Sequence, residues 1–98
     1  MSHKSFLERN RKLIERYGIT QSDYQLMLAE QLFACAICRS RYVGRQNSFY
    51  FAVDHDHKTG RVRGLLCHRC NVNLGRIQDS VEWLQSAIDY LQGHKSKP

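Results

Sequence analysis

At 98 residues and 11.5 kDa the chain has room for one small domain, because a chain this short buries only about 60 to 65% of its unfolded surface and cannot divide into two cores. An apolar fraction of 42%, with four Phe, five Tyr and one Trp, excludes a disordered tail. The longest apolar stretch, 32–37, is far below the roughly 18 residues that suggest a membrane span. Met1-Ser2-His3-Lys4-Ser5 leads into a charged amphipathic segment and not an apolar one, so the expectation is a soluble protein without a secretory signal, in a reducing cytoplasm.

The net charge is +6, from 15 Lys and Arg against 9 Asp and Glu, and it is unevenly spread. Between Cys35 and Arg76 stand eight basic residues, Arg39, Arg41, Arg45, Lys58, Arg61, Arg63, Arg69 and Arg76, against Asp54 and Asp56. The flanks hold the remaining seven of each sign. The whole excess therefore sits in the segment that also carries all four cysteines, as a phosphate-facing surface requires; a solvated basic face explains the charge equally well.

In chain order, Phe6, Leu7, Leu13, Ile14 and Tyr17 recur on one helical stripe over 5–17, with Ser5 and Glu8 spaced as a capping box and Gly18 as the stop. Thr20 caps a second helix over 21–33, with Tyr24, Met27, Leu28 and Gln31/Leu32 on the face read as core. Residues 49–53 are aromatic and β-branched enough for a strand, 58–60 turn the chain, and 61–66 pair back. A short helix over 71–76, closed by Gly75, completes a strand–strand–helix unit. The last helix, 80–92, opens on an Asp79 and Glu82 capping pair, buries Val81, Leu84, Ala87, Ile88 and Leu91, and ends at Gly93, after which 94–98 fray. The domain is a single α+β unit over 1–98: a helical part over 1–34, a core over 35–76, and a closing helix and tail over 77–98.

Cys35-Ala36-Ile37-Cys38 and Cys67-His68-Arg69-Cys70 are two C-x-x-C knuckles. Four thiolates fill the tetrahedral shell of Zn²⁺ and leave no open position, which makes the site structural. A disulfide framework is the competing reading and suits an oxidising compartment, which nothing here indicates. His68 lies inside a saturated knuckle and reads as an exposed residue.

Asp54-His55-Asp56-His57 falls where the first strand runs into the turn. Alternation puts the two aspartates on one side and the two histidines on the other, unless a kink intervenes. Asp54 and the amide of Asn71, which directly follows the last zinc ligand, are hard oxygen donors for Mg²⁺; an imidazole beside Asp54, that of His55, can take a proton from water near neutral pH. With nearby Arg and Lys to neutralise phosphate, this is an inventory for phosphodiester hydrolysis.

These residues resemble the endonuclease VII type of the HNH, or ββα-metal (His-Me finger), nucleases. The matching runs are residues 53–60, 62–67, Cys70-Asn71 and Leu74-Gly75, preceded by Cys35-Ala36-Ile37-Cys38, and Tyr17-Gly18-Ile19-Thr20 with Tyr24 is similar to phage-encoded members. The resemblance implies a ββα-metal unit flanked by N-terminal helices and one C-terminal helix, in which Asp54 and Asn71 hold one Mg²⁺ or Mn²⁺, His55 is the general base and His57 matches a functionally important histidine. Where the best-known member has a Glu, this chain has Leu74, so no acidic role passes to that position. The implied activity is a DNA endonuclease leaving 5′-phosphate and 3′-hydroxyl ends, in the host cytoplasm if phage-encoded, with the eight basic residues facing DNA. The alternatives are a zinc-stabilised nucleic-acid-binding module without chemistry and a zinc-organised protein-interaction module. A closing helix that spends its apolar stripe on the core favours a monomer; exposed Trp83 and Tyr90 would instead supply a dimer face.

Overall fold

The computed structural model describes residues 3–46 and 48–95, in which six elements follow one another: α1 (His3–Tyr17), α2 (Gln21–Glu30), β1 (Ala52–His55), β2 (Val62–Leu66), α3 (His68–Arg76) and α4 (Val81–Lys95). Four helices and one two-stranded antiparallel sheet make the small α+β fold that the sequence implies.

α1 starts two residues ahead of the expected boundary, so Ser5 and Glu8 lie inside the helix instead of capping it. Gly18, at φ +72°, turns the chain after Tyr17 and donates its N–H to Ile14 O at 2.9 Å. Thr20 then closes the capping box of α2: its Oγ1 accepts from Asp23 N at 3.0 Å, and Asp23 Oδ2 accepts from Thr20 N at 2.8 Å. α2 ends at Glu30, three residues short of the expected end. Leu32 and Phe33 both take left-handed backbone angles and are exposed, because the chain reverses here to deliver Ala34 and Cys35 to the interior.

Gln31 fastens that reversal. Its Nε2 donates to Ala34 O at 2.8 Å and Leu65 O at 2.9 Å, while its Oε1 accepts from Leu65 N at 2.9 Å. Ala36 N adds a bond to Leu65 O at 3.1 Å, so the first knuckle is laced to β2. Gly64 permits the close approach, since a Cβ there would meet Gln31 Oε1 at 3.3 Å.

The first strand occupies 52–55 and not 49–53. Phe51 N donates to the hydroxyl of buried Tyr24 at 3.0 Å, which takes that segment out of strand pairing, and Phe49 is almost fully exposed. Pairing runs Ala52↔Leu66, Val53↔Leu65, Asp54↔Gly64 and His55↔Val62, with a bulge that leaves Arg63 as the extra residue. The core joins Leu13 of α1, Tyr24 of α2, Phe51, Val53, Leu65 and Leu66 around Cys35, Cys67 and Cys70.

α3 begins at His68, directly after Cys67, and passes through Gly75 to end at Arg76. The expected Asp79 cap of α4 is absent: Ser80 Oγ accepts from Trp83 N at 3.0 Å instead, and Asp79 turns toward Arg63. α4 continues through Gly93 to Lys95, and residues 96–98, part of the expected frayed tail, lie outside the described residues. Its apolar stripe is not core. Val81 is 76% exposed, Ile88 46% and Leu91 60%, while Trp83 and Leu84 in the first turn border a groove with Leu74 and Ile77. Helical periodicity identifies an amphipathic face but not what covers it. Trp83 and Tyr90 are both exposed, so the premise that favoured a monomer, an apolar stripe consumed by the core, does not hold.

Candidate functional site

Two centres share the strand–strand–helix unit. In the first, the knuckles deliver Cys35, Cys38, Cys67 and Cys70 so that their four Sγ atoms lie within 4.8 Å of one another. Tetrahedral Zn–S bonds of about 2.3 Å place sulfurs about 3.8 Å apart, and Cys38 Sγ to Cys67 Sγ measures 3.7 Å. That separation is far beyond a disulfide bond of about 2.05 Å, and none of the four cysteines is in a disulfide. The four cysteines thus cluster as a candidate zinc site.

The electrostatics of the cluster call for a cation. Burial opposes ionisation of Cys35, but amides of Cys67, Cys38 and Ile37 outweigh it and bring that thiol down to about 6. Burial, and then the neighbouring sulfurs, push Cys70 up to about 12. Four sulfurs this close cannot all be thiolates without a positive charge among them. Cys38, and then Cys70 and Cys67, raise the pKa of Arg69, which is exposed.

The second centre is the end of β1, and here the structure separates the two aspartates. Asp56 is a turn residue: its Oδ1 accepts from Lys58 N at 2.7 Å and Thr59 N at 3.0 Å, and these amides depress its carboxyl pKa. Asp54, one residue before the bulge, is gripped by Arg63. Arg63 Nε donates to Asp54 Oδ2 at 2.7 Å, and Nη2 donates both to Asp54 Oδ1 at 3.0 Å and to Asp79 Oδ2 at 3.1 Å. The two carboxylates raise the pKa of Arg63 further above its usual value. The bulge makes the grip, since the extra residue of β2 is the one that bonds to Asp54.

His55 is half-buried at the strand end. Its ring centroid lies 4.9 Å from that of His57 and 5.7 Å from that of Tyr17 on α1, so both imidazoles share one side, as alternation predicts. Asn71 lies on α3 one residue after Cys70, and its N–H bonds to Cys67 O at 3.0 Å. α3 packs on β1, and Asn71 lines a cleft between α1 and the segment leading into β1, together with Arg45. Of the other expected phosphate contacts, Arg39, Arg41, Lys58, Arg61 and Arg76 are exposed. Three residues take roles that the sequence does not assign them: Gln31, on the α2 stripe, laces the first knuckle to β2; Asp79, paired with Glu82 as a cap in the sequence, bonds to Arg63; and Tyr17, on the α1 stripe, packs against His55.

Residues 10–93 match the model of the family described as recombination endonuclease VII, and the chain belongs to that family. Two phage proteins are similar to it. The Gene 59 protein of Mycobacterium phage D29 is 46% identical over 82 residues, covering 83% of this chain and 48% of that protein. The Gene 59 protein of Mycobacterium phage L5 is 43% identical over 81 residues, covering 82% and 48%. The chain thus spans about half the length of these curated relatives. No solved structure matches it. Among the described residues, no helix is long and apolar enough to cross a membrane.

Proposed function

We propose that the chain is a DNA endonuclease of the HNH, ββα-metal type that hydrolyses phosphodiester bonds with Mg²⁺ or Mn²⁺ and leaves 5′-phosphate and 3′-hydroxyl ends. Membership of the endonuclease VII family supports the reaction class. The observation that carries the reading is the strand end itself, where a half-buried imidazole with ring neighbours on two sides stands next to a carboxylate held in one orientation by a bidentate guanidinium. A binding module needs no such arrangement.

The donor set fits a hard divalent cation: Asp54 offers carboxylate oxygens and Asn71 an amide oxygen, on two elements that pack together. When bound there, the cation supplies Lewis-acid polarisation of the scissile phosphate and charge neutralisation at the departing 3′ oxygen. Arg63 keeps Asp54 oriented through two hydrogen bonds to its carboxylate. His55 accepts a proton on a ring nitrogen from the water that attacks phosphorus, as the bond from phosphorus to the 3′ oxygen breaks. Tyr17 and His57 restrict rotation of the imidazole. Arg39, Arg41, Arg45, Lys58, Arg61, Arg69 and Arg76 face the DNA phosphates, while Arg63 is engaged by the carboxylates of Asp54 and Asp79. One Zn²⁺ in the four-thiol cluster pins both ends of the segment that carries the site.

Incubation of the zinc-loaded protein with supercoiled plasmid and Mg²⁺, with and without chelator, tests the reading. Conversion to nicked or linear DNA that stops on chelation is expected. Binding without any conversion would leave only the non-catalytic module.

A further inference from the structure

One face of α1 carries Ser5, Arg9, Lys12 and Arg16 at successive spacings of four, three and four residues, a single stripe along the helix. The stripe forms one wall of a cleft of about 580 Å³, and Tyr50 through Val53 contribute to the remainder with Arg45 and Asn71. Four cationic side chains thus line one concavity against a single carboxylate, Glu8. The ion pairs among the described residues, Arg11 with Glu15 and Arg63 with Asp54 and Asp79, lie elsewhere and engage none of the four.

Arg9 is fixed in advance of any ligand. Its guanidinium carbon lies 3.4 Å from the Tyr50 ring centroid and 4.8 Å from that of Tyr24, and its Nε is buried without a hydrogen-bond partner. A cation whose rotamer is already set by stacking loses little entropy when an anion arrives. The cleft also leads to the strand end. Val53, in its lining, directly precedes Asp54, and Tyr17, also in its lining, contacts the His55 ring.

We infer that this cleft binds the phosphodiester backbone of a DNA strand and leads it to His55. Arg9 and Arg16 are seven residues apart, which at 1.5 Å per residue is about 10 Å, the axial span of about three phosphates of one strand at 3.4 Å each. An isolated phosphate would engage only part of such a row. The inference rests on the endonuclease reading for the identity of the strand, but its binding test does not need cleavage.

The test uses the full chain, zinc-loaded, carrying His55→Ala so that DNA stays intact, with fluorescence anisotropy of a short labelled duplex over a range of salt. Lys12 and Arg16 are exposed, so Lys12→Gln with Arg16→Gln should preserve fold and zinc content, which circular dichroism and metal analysis check. Each lost contact lowers the slope of log K against log salt by about 0.9, so the pair should flatten it by about 1.8 and weaken binding roughly tenfold or more near 0.1 M salt. Arg11→Gln, on the same helix but paired with Glu15, should change binding less than about twofold. The inference is overturned if the double variant keeps the parent slope and affinity, if it loses no more than Arg11→Gln, or if inorganic phosphate at equal phosphate concentration displaces the duplex as well as unlabelled duplex does. A flattened slope in a protein whose parent never cuts plasmid would support the cleft and overturn the catalytic reading, so the two fail separately.

Discussion

Replacing Gln31 with Leu removes the side chain that laces the first knuckle to β2. The amide of Leu65, a fully buried residue, loses its acceptor at 2.9 Å, and Ala34 O loses its donor at 2.8 Å, while Leu65 O keeps a bond from Ala36 N at 3.1 Å. An orphaned buried donor costs about 1 to 3 kcal/mol and a lost acceptor contact about 1 more, so the expected destabilisation is about 2 to 4 kcal/mol. For a domain of this size that lowers Tm by roughly 10 to 25 °C. Thermal unfolding followed by circular dichroism at fixed zinc concentration measures it. Gln31→Glu should be at least as damaging, because a carboxylate keeps the Leu65 amide but turns its other oxygen toward two carbonyls that need donors. A Gln31→Leu protein within about 0.5 kcal/mol of the parent would refute the reasoning, since side chains without such a role typically fall in that range.

Cys38→Ser should release zinc and unfold the chain, because the apparent binding energy of structural zinc, about 10 to 16 kcal/mol in finger peptides, is also folding energy; a well-folded, zinc-free variant on metal analysis and circular dichroism would count against it. Arg63→Gln leaves Asp54 and Asp79 without their shared cation, and since Arg63 is 37% exposed the loss is discounted to about 1 kcal/mol, read from urea unfolding; no change in the midpoint would mean the bidentate grip contributes nothing. The Asp56 carboxyl is depressed below 3.8 by the amides of Thr59 and Lys58, so its stabilisation is present above about pH 4 and lost as pH falls through the lowered value. Asp56→Asn should therefore flatten the acid limb of Tm against pH, and superimposable curves for the two proteins would contradict the turn role.

The knuckles were legible because tetrahedral coordination fixes both residue type and spacing. α2 was legible at its start, where Thr20 and Asp23 form a local device, but not at its end, where Leu32 and Phe33 continue the apolar pattern while the chain turns away. The helix over 81–95 was visible and its burial was not, because periodicity carries no information about a partner. At the strand end, Asp54 and Asp56 look alike in sequence; what distinguishes them is Arg63, nine residues beyond Asp54 and brought to it by a bulge, and a turn whose amides bind Asp56. The basic stripe of α1 is hidden in the summed charge of the flanks, which cancels, whereas the helix puts Arg9, Lys12 and Arg16 on one side.

The central claim is that His55 is the base of a phosphodiester-cleaving site, and the most direct measurement is the plasmid-nicking rate of His55→Ala beside the parent, at equal zinc content and saturating Mg²⁺. Loss of a general base typically costs about 10² to 10⁴ in rate. A drop of that size, with duplex affinity and thermal stability held near the parent's, is the predicted result. A His55→Ala protein that nicks plasmid at the parent's rate would contradict the account.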